Sequence, residues 1–175
     1  MIDAYQEELS LEFRVAEQSD AQALLDYQLK VAKEATYLSH GPEDIRYELE
    51  QMEGQILAYQ AHEQSIMVLA CLGTQIIAFA SLAGKNNSRE AHLAELGITV
   101  LEEYQGMGIG SILMEMLIEF AQTTTLQRIT LEVALPNDPA IHLYEKFGFE
   151  HVALLKERLR VKNEFVDTLI MDFIL

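Results

Sequence analysis

The apolar positions alternate near the start of the chain and then take up a helical period. Residues 11–17 (LEFRVAE) alternate apolar with polar side chains, which predicts a β-strand. Ser19 follows and is suited to cap a helix, which is predicted to run to about Ala32. The inner face of this helix is marked by Leu24, Leu25, Gln28 and Leu29.

A second helix is predicted within residues 41–56. Pro42 fits the first turn of a helix, and Glu43 and Asp44 suit the positive end of its dipole. Two apolar runs follow within residues 65–84. Because Leu72, Gly73 and Thr74 interrupt them with a turn signal, they predict a β-hairpin.

The second half of the chain alternates strands with helices. Residues 91–101 predict a strand, which is followed by a glycine-rich stretch and a strongly apolar helix. Residues 127–135 predict a strand, residues 138–147 a short helix, and residues 151–175 two strands joined around Lys162 and Asn163. The order β-α-α-β-β-β-α-β-α-β-β predicts a mixed α/β fold, with a mostly antiparallel sheet and one parallel crossover.

The composition indicates one soluble globular domain spanning residues 1–175. Half of the residues are hydrophobic and 23% are charged, and no apolar run approaches the length of a membrane span. The acidic N-terminus lacks the apolar segment of a signal peptide. Cys71 is the one cysteine, which excludes an internal disulfide and suggests a buried thiol. Together these features favour a cytoplasmic protein without a membrane partner.

The net charge of −16 restricts the partners of the chain. It argues against nucleic acid, whose binding needs a basic surface. It also opposes an anionic cofactor, so a phosphate site in this chain must be made by local dipoles. The five histidines are scattered, and only His142 and Glu145 share a helix face, so no metal site is expected.

Three glycines alternate in residues 105–110 (QGMGIG), immediately before a helix. Ser111 occupies the third glycine position of a dinucleotide-binding fingerprint, and no Gly-Lys-Ser/Thr run of a P-loop is present. Packing alone would require at most one glycine. The glycines instead predict a row of bare N–H groups at the positive end of the helix dipole, which is an anion site.

These residues carry a resemblance to a known family. The strand ELGITV, a short acidic link and Q-x-x-G-x-G at a helix N-terminus resemble the acyl-CoA cradle of the GNAT superfamily of N-acetyltransferases. Asn137 and then A-x-x-L-Y-E-K-F-G-F in residues 140–149 resemble the second signature of that superfamily. The resemblance spans the chain from Phe13 to Leu175. Many relatives have arginine where this chain has Gln105, so one positive charge near the pyrophosphate is missing.

The resemblance implies a GNAT-like fold, with the sheet splayed between the fourth and fifth strands and helices on both faces. It implies acetyl-CoA as cosubstrate. The backbone of residues 98–100 would bind the pantetheine arm, and a main-chain N–H there would face the thioester oxygen. The residues implied in cofactor binding are Ile98, Thr99, Val100, Gln105, Gly106, Met107, Gly108, Ile109, Gly110, Ser111, Asn137 and Tyr144.

Two catalytic groups are predicted, Tyr144 from the resemblance and Glu95 from the residues around it. Tyr144 would be the general acid toward the departing sulfur, because a tyrosine is protonated at neutral pH. Glu95, a carboxylate among apolar strand residues, is predicted as the general base. His92, the link residues Glu102 and Glu103, and a water-mediated path remain alternatives. Asn137 is predicted to cap the following helix or to bind the pantetheine amide.

The implied function is transfer of an acetyl group from acetyl-CoA to a primary amine of a small molecule. An amino acid or a polyamine would attack directly in a ternary complex. The alternatives are acetylation of a protein N-terminus, as of a ribosomal protein, and a non-catalytic acyl-CoA-binding sensor. Residues 31–47 and 158–165 would wall the acceptor side. A homodimer built through the final strands is one assembly open to the chain.

Overall fold

The computed structural model describes residues 10–45 and 48–175 and shows a mixed α/β fold. Residues 1–9 and 46–47 lie outside the described residues; they include most of the acidic N-terminal stretch and part of the predicted acceptor wall. The predicted element order is confirmed. In chain order the elements are β1 (Leu11–Val15), α1 (Ala21–Glu34), α2 (Leu49–Ala61), β2 (Ile66–Leu72), β3 (Gln75–Gly84), β4 (Leu93–Val100), α3 (Ile109–Gln122), β5 (Arg128–Ala134), α4 (Asp138–Lys146), β6 (Glu150–Val161) and β7 (Glu164–Ile174).

The sheet has the strand order β1-β2-β3-β4-β5-β7-β6, and β4 and β5 form its one parallel pair among the described strands. Their pairing covers only three positions, Leu93 to Glu95 on β4 against Arg128 to Thr130 on β5. Both strands continue, β4 to Val100 and β5 to Ala134. The predicted splay between the fourth and fifth strands is therefore confirmed.

Helices cover both faces of the sheet. Consecutive strand residues point to opposite faces, and on β4 the side chain of Ile98 lies beside Gly110 of α3. The next residue, Thr99, places its Oγ1 2.9 Å from the hydroxyl of Tyr27 on α1. We call these two sides the α3 face and the α1 face. The core between helices and sheet includes fully buried side chains on both faces, among them Leu24, Met52, Ile56, Leu113 and Leu117.

The start of α1 differs from the sequence prediction. Asp20, and not Ser19, is the N-cap residue of α1, after one turn of 3-10 helix at Gln18–Asp20. The Asp20 carboxylate accepts two hydrogen bonds of 2.7 Å from Arg14 and one of 2.8 Å from the N–H of Glu17. The prediction of Ser19 as the cap was wrong because the partly buried arginine–aspartate pair fixes this turn.

The start of α2 also differs. The helix begins at Leu49, where Glu48 and Gln51 form a capping box, and not at Pro42. The residues around Pro42 form a turn in which Asp44 Oδ2 accepts from the N–H of Gly41 at 2.9 Å. The Asp44 carboxylate therefore accepts from a backbone N–H of the turn, and this local hydrogen bond competes with the start of a helix at Pro42.

The end of α2 also differs, because the helix continues past the predicted Ile56 to Ala61, but the remaining local predictions agree with the structure to within one or two residues. Gly73 has φ 59° in the β2–β3 turn, and Lys162 and Asn163 have φ 47° and 70° in the β6–β7 turn. Cys71 is buried, as predicted. The edge strand β6 exposes apolar side chains such as Val152, but the homodimer stays a prediction.

Asp20→Asn is expected to lower the free energy of unfolding at neutral pH, because the hydrogen bond from Arg14 holds the pKa of the Asp20 carboxyl below its ordinary value. A lowered folded pKa contributes stability above the unfolded pKa, and this stability is lost as the pH falls through the folded pKa. The difference from wild type in urea unfolding should therefore shrink in acid. Exposed Asp26→Asn is the control, and an equal loss at all pH values would contradict this account.

Candidate active site

A cleft of about 720 Å³ opens where β4 and β5 separate. Its lining comes from the end of β4, the glycine loop with the start of α3, one side of α4, and residues 34–38 after α1. The structure thus brings together all the predicted site residues except Glu95 and Met107. Met107 has an exposed side chain, so only its backbone is available to a ligand in the cleft.

The backbone of β4 has an open edge toward this cleft. The N–H of Leu101 donates to Ile77 O at 3.0 Å, and Leu93 O accepts from the N–H of Lys85 at 3.1 Å. The odd-numbered residues of β4 therefore pair with β3. Since backbone groups alternate in direction along an antiparallel strand, the N–H groups of Ile98 and Val100 point to the side that β5 has left.

Two side-chain contacts agree with this alternation. Val100 O accepts from Gln105 Nε2 at 3.0 Å, so the glutamine ties the glycine loop to the open edge. Thr99 O points the other way and accepts from the hydroxyl of Tyr27 at 2.9 Å. Of the three predicted arm-binding residues, Ile98 and Val100 therefore offer backbone N–H groups to the cleft, and a contact from Thr99 remains a prediction.

The three glycines have two different functions in the local structure. Gly106 and Gly108 have φ 75° and 84°, in the left-handed region, and a Cβ on either would meet nothing within 4 Å. A Cβ on Gly110 would lie 3.2 Å from Leu143 Cδ2 of α4. Two glycines therefore shape an open loop, and the third allows α3 and α4 to approach each other.

The loop presents a row of donors. In the described parts of the chain, no partner is recorded for the N–H groups of Gly106, Met107 and Gly108. Ile109 and Gly110 are in the first turn of α3, where N–H groups lack intrahelical acceptors. The N–H of Ser111 already donates to Gly108 O at 3.1 Å. The five N–H groups of residues 106–110 therefore lie together at the positive end of the α3 dipole, an arrangement that suits an anion.

Lys146 adds a positive charge that the sequence analysis missed. Its Nζ lies 3.3 Å from Ser111 Oγ, so α4 reaches across to the N-terminus of α3. Lys146 also lines the cleft. In a chain of net charge −16 this ammonium group offsets the absence of arginine at Gln105. The signal was present in the sequence as the lysine of L-Y-E-K-F-G-F, but its direction depends on the packing of α4.

Tyr144 is 6% exposed, and burial raises the pKa of its hydroxyl above the ordinary value. Its ring packs against Phe149, with centroids 5.9 Å apart. The Tyr144 hydroxyl has no hydrogen-bond partner among the described residues. Every fully buried side-chain oxygen in that part of the chain has a partner, so this hydroxyl must keep some exposure, and Tyr144 lines the cleft. It is protonated at neutral pH and free to donate.

Asn137 caps α4 and also lines the cleft. Its Oδ1 accepts from the N–H of Ala140 at 3.4 Å, while its Nδ2 has no recorded partner in the described residues. The two predicted roles are therefore compatible, since the cap uses the oxygen and leaves the amide nitrogen for a ligand.

Two carboxylates lie near the point where β4 and β5 separate. Glu95 is outside the cleft lining, its side chain is 64% exposed, and it pairs with Lys85 at 3.1 Å. It is paired with Thr130 across the sheet, and both side chains are on the α1 face. Glu132, two residues further along β5, is on the same face, and its Oε1 accepts from Thr168 Oγ1 at 2.7 Å. The sequence analysis missed Glu132, whose signal was a charged residue in the alternating strand LEVA.

The sequence model of the Acetyltransferase (GNAT) family matches residues 13–149. This chain belongs to the GNAT family of acetyltransferases. Its sequence is similar to an L-amino acid N-acetyltransferase of Escherichia coli K12, with 30% identity over 59% of this chain and 65% of that protein. The match thus spans less than two thirds of that relative.

Two further similarities agree with membership of the GNAT family. A spermidine N(1)-acetyltransferase of Vibrio cholerae is 33% identical over 42% of this chain and 43% of its own length. A crystal structure of a GNAT-family acetyltransferase from Streptococcus pneumoniae has a TM-score of 0.92 and 28% identity, and the match covers 95% of this chain and all of that one. The relatives differ in their acceptors, so the family alone does not fix the substrate class.

The GNAT cleft fits acetyl-CoA on its own chemistry. The donors of residues 106–110 and Lys146 suit a pyrophosphate, and the open edge of β4 suits the amides of a pantetheine arm. The described residues hold no group of three His, Cys, Asp or Glu side chains placed to bind a metal ion. Of the helices that the structure describes, none is both long and apolar enough to cross a bilayer.

Gly108→Ala is expected to raise the Kd for acetyl-CoA about tenfold, equivalent to about 1.4 kcal/mol. An alanine at φ 84° is strained by about 1–2 kcal/mol and would move the loop out of its donor arrangement. Gly54→Ala in α2 is the control, because a Cβ there also meets nothing within 4 Å. Isothermal titration with acetyl-CoA measures both, and equal affinities for the two variants would contradict the proposed cradle.

Proposed function

We propose that this protein transfers an acetyl group from acetyl-CoA to a primary amine of a small molecule, by direct attack in a ternary complex. The observation that carries the proposal is the convergence of three features in one cleft: the anion site before α3, the open edge of β4, and the Tyr144 hydroxyl. A GNAT fold that lacked the open edge of β4 or the Tyr144 hydroxyl could still bind a phosphate, but it would lack groups that the acetyl transfer requires.

The hydrogen-bond donors around the cleft indicate which residues would hold acetyl-CoA. The N–H groups of residues 106–110 and the ammonium of Lys146 bind the pyrophosphate. Ile98 and Val100 bind the pantetheine arm through their backbone, and the Asn137 amide nitrogen is a further donor. Acetyl-CoA supplies the acetyl group as a thioester.

The transfer forms a carbon–nitrogen bond and breaks a carbon–sulfur bond, so one proton leaves the amine and one reaches the sulfur. Tyr144 donates to the sulfur, because burial keeps its hydroxyl protonated. A backbone N–H of Ile98 or Val100 stabilises negative charge on the carbonyl oxygen, which is worth about 3 kcal/mol for one such donor. The chain's own role is thus to orient the arm, place one donor at the oxygen and deliver one proton.

We propose Glu95 as the general base, acting through water because it is exposed and paired with Lys85. Glu132 is a second candidate for the same task. It is on the same face, it lies two residues beyond Thr130, the last residue of β5 that pairs with β4, and Thr168 holds it in place. Either carboxylate would take the amine proton on the α1 face, opposite the face that carries α3.

The test of the proposed function is a thiol-release assay with acetyl-CoA over a panel of amino acids, polyamines and N-terminal peptides. A thermal-shift measurement with acetyl-CoA runs alongside, where ligand at 100 times its Kd should stabilise the protein by about 2.7 kcal/mol. Stabilisation with thiol release supports the enzyme. Stabilisation without release on any amine supports the non-catalytic sensor, and no stabilisation contradicts acetyl-CoA binding altogether.

Tyr144→Phe is expected to lower kcat about 100-fold or more, which is the usual effect of losing a general acid. The Kd for acetyl-CoA should stay unchanged, because the ring remains packed against Phe149. Tyr59→Phe on α2, outside the cleft lining, is the control.

The pH dependence of kcat gives a second check on Tyr144. An ordinary tyrosine ionises near pH 10, but burial raises the pKa of Tyr144. The acid form therefore persists to higher pH, and wild-type kcat should show no fall near pH 10 from ionisation of this group. A fall there that Tyr144→Phe abolishes would show an exposed tyrosine and contradict the structure.

Glu95→Gln and Glu132→Gln separate the two candidate bases. Loss of the base should lower kcat about 100-fold or more. We expect this of Glu95→Gln, with a smaller effect in Glu132→Gln. The reverse result would transfer the role to Glu132, and a near-normal kcat in both variants would contradict a role for either carboxylate as the base.

A further inference from the structure

The edge strand β6 has a bulge that no part of the proposed transfer uses. Its pairing with β7 shifts register between Leu155 and Leu159. Within this bulge Glu157 has φ 52°, a left-handed conformation that is uncommon and strained for a residue with a side chain. A strained backbone conformation persists only where surrounding contacts hold it. The contacts made by the residues of this bulge therefore indicate which side chains it places.

Asp167 of β7 fixes the bulge from the neighbouring strand. Its Oδ1 accepts from the N–H of Glu157 at 2.8 Å, and its Oδ2 pairs with Lys156 Nζ at 3.3 Å. The next residue, Arg158, reaches past β7 to β5, where its Nε donates to Glu132 Oε1 at 3.2 Å. The bulge therefore brings an arginine from the edge of the sheet to a carboxylate beside the separation of β4 and β5.

This ion pair uses only part of each group. Glu132 Oε1 accepts from both Arg158 Nε and Thr168 Oγ1, and Thr168 is 1% exposed, so the carboxylate is held in place. In the described chain no partner is recorded for Glu132 Oε2 or for the two Nη groups of Arg158. Side-chain exposures of 58% for Arg158 and 34% for Glu132 leave these ends accessible. The pair thus presents a free cationic fork next to a free anionic oxygen.

We propose that Arg158 and Glu132 recognise the head group of a free α-amino acid as the acetyl acceptor, which rests on the proposed function. The Nη groups of Arg158 bind the carboxylate through two parallel hydrogen bonds, and Glu132 Oε2 accepts from the amino group. In an α-amino acid the carboxylate and the amino group are bonded to the same carbon. Their short separation suits a guanidinium and a carboxylate that are already in contact, as those of Arg158 and Glu132 are.

The charges of the site favour this class of acceptor over its rivals. A chain of net charge −16 repels a carboxylate unless a cation is provided at the site, and the bulge provides one. A polyamine has no carboxylate and would meet Arg158 as a like charge. The N-terminus of a peptide has an amide beside its amine, which leaves the arginine without an ionic partner.

The experiment compares kcat/KM for the most active L-amino acid of a full panel, for its C-terminal amide and for spermidine. The wild-type protein should prefer the free amino acid over both by at least about tenfold, equivalent to about 1.4 kcal/mol. Arg158→Gln should raise KM for the amino acid at least tenfold, with kcat and the Kd for acetyl-CoA little changed, and should abolish the preference over the amide.

Two further variants keep the test independent of folding. Asp167→Ala leaves Arg158 in place but removes the contacts that fix the bulge, so it should raise KM in the same direction by a smaller factor. Arg158→Lys keeps the charge without the fork and should recover part of the preference. Arg89→Gln, an exposed arginine between β3 and β4, is the control and should behave as wild type.

Three results would overturn the inference. The first is a wild-type preference for spermidine or the amide, and the second is an unchanged preference in Arg158→Gln. Both leave the proposed function intact, because amine acetylation is still measured. The third is acetyl-CoA binding without turnover of any amino acid in the panel. If another amine is acetylated, this result contradicts only the present inference. If no amine is acetylated, it contradicts the proposed function as well.

Discussion

The separation of β4 and β5 is the constraint on which the rest of the site depends. Only three residue pairs, ending at Glu95 and Thr130, join the two strands. Backbone groups beyond this point have lost a sheet partner, and such groups are costly unless water or a ligand satisfies them. The helices that follow the two strands, α3 and α4, approach each other at Gly110 and Leu143 and line the cleft. The split therefore generates both the open strand edge and the walls around it.

The positive groups near the cleft are placed separately on the two faces of the sheet. A strongly acidic chain can bind an anion only where fixed dipoles or a few placed cations overcome the general repulsion. The glycine loop supplies five backbone donors and Lys146 supplies one charge on the α3 side. On the α1 face, Arg158 supplies another at the carboxylate of Glu132. Each cation comes from a different element and is held by a hydrogen bond, so its position is part of the fold.

Local chemistry made much of this predictable from the sequence. Alternate glycines before an apolar helix predicted the row of bare N–H groups, and the resemblance carried by the two GNAT signatures implied the fold and the splay. Lys146 and Glu132 were missed because their positions depend on how α4 and β7 pack, which no local pattern records. Ser19 was wrong as a cap because Asp20 pairs with Arg14, a strand residue outside the helix. Glu95 looked enclosed in a sequence window, whereas the structure pairs it with Lys85 in solvent.

Amide hydrogen exchange along β4 tests the central claim most directly. The account predicts that acetyl-CoA slows exchange at Ile98 and Val100, whose N–H groups face the cleft. Thr99, whose N–H faces β3, should already be protected and should not change. Protection of all three amides without ligand, or protection of none of them in the complex, would show that the coenzyme does not take the place of the missing strand.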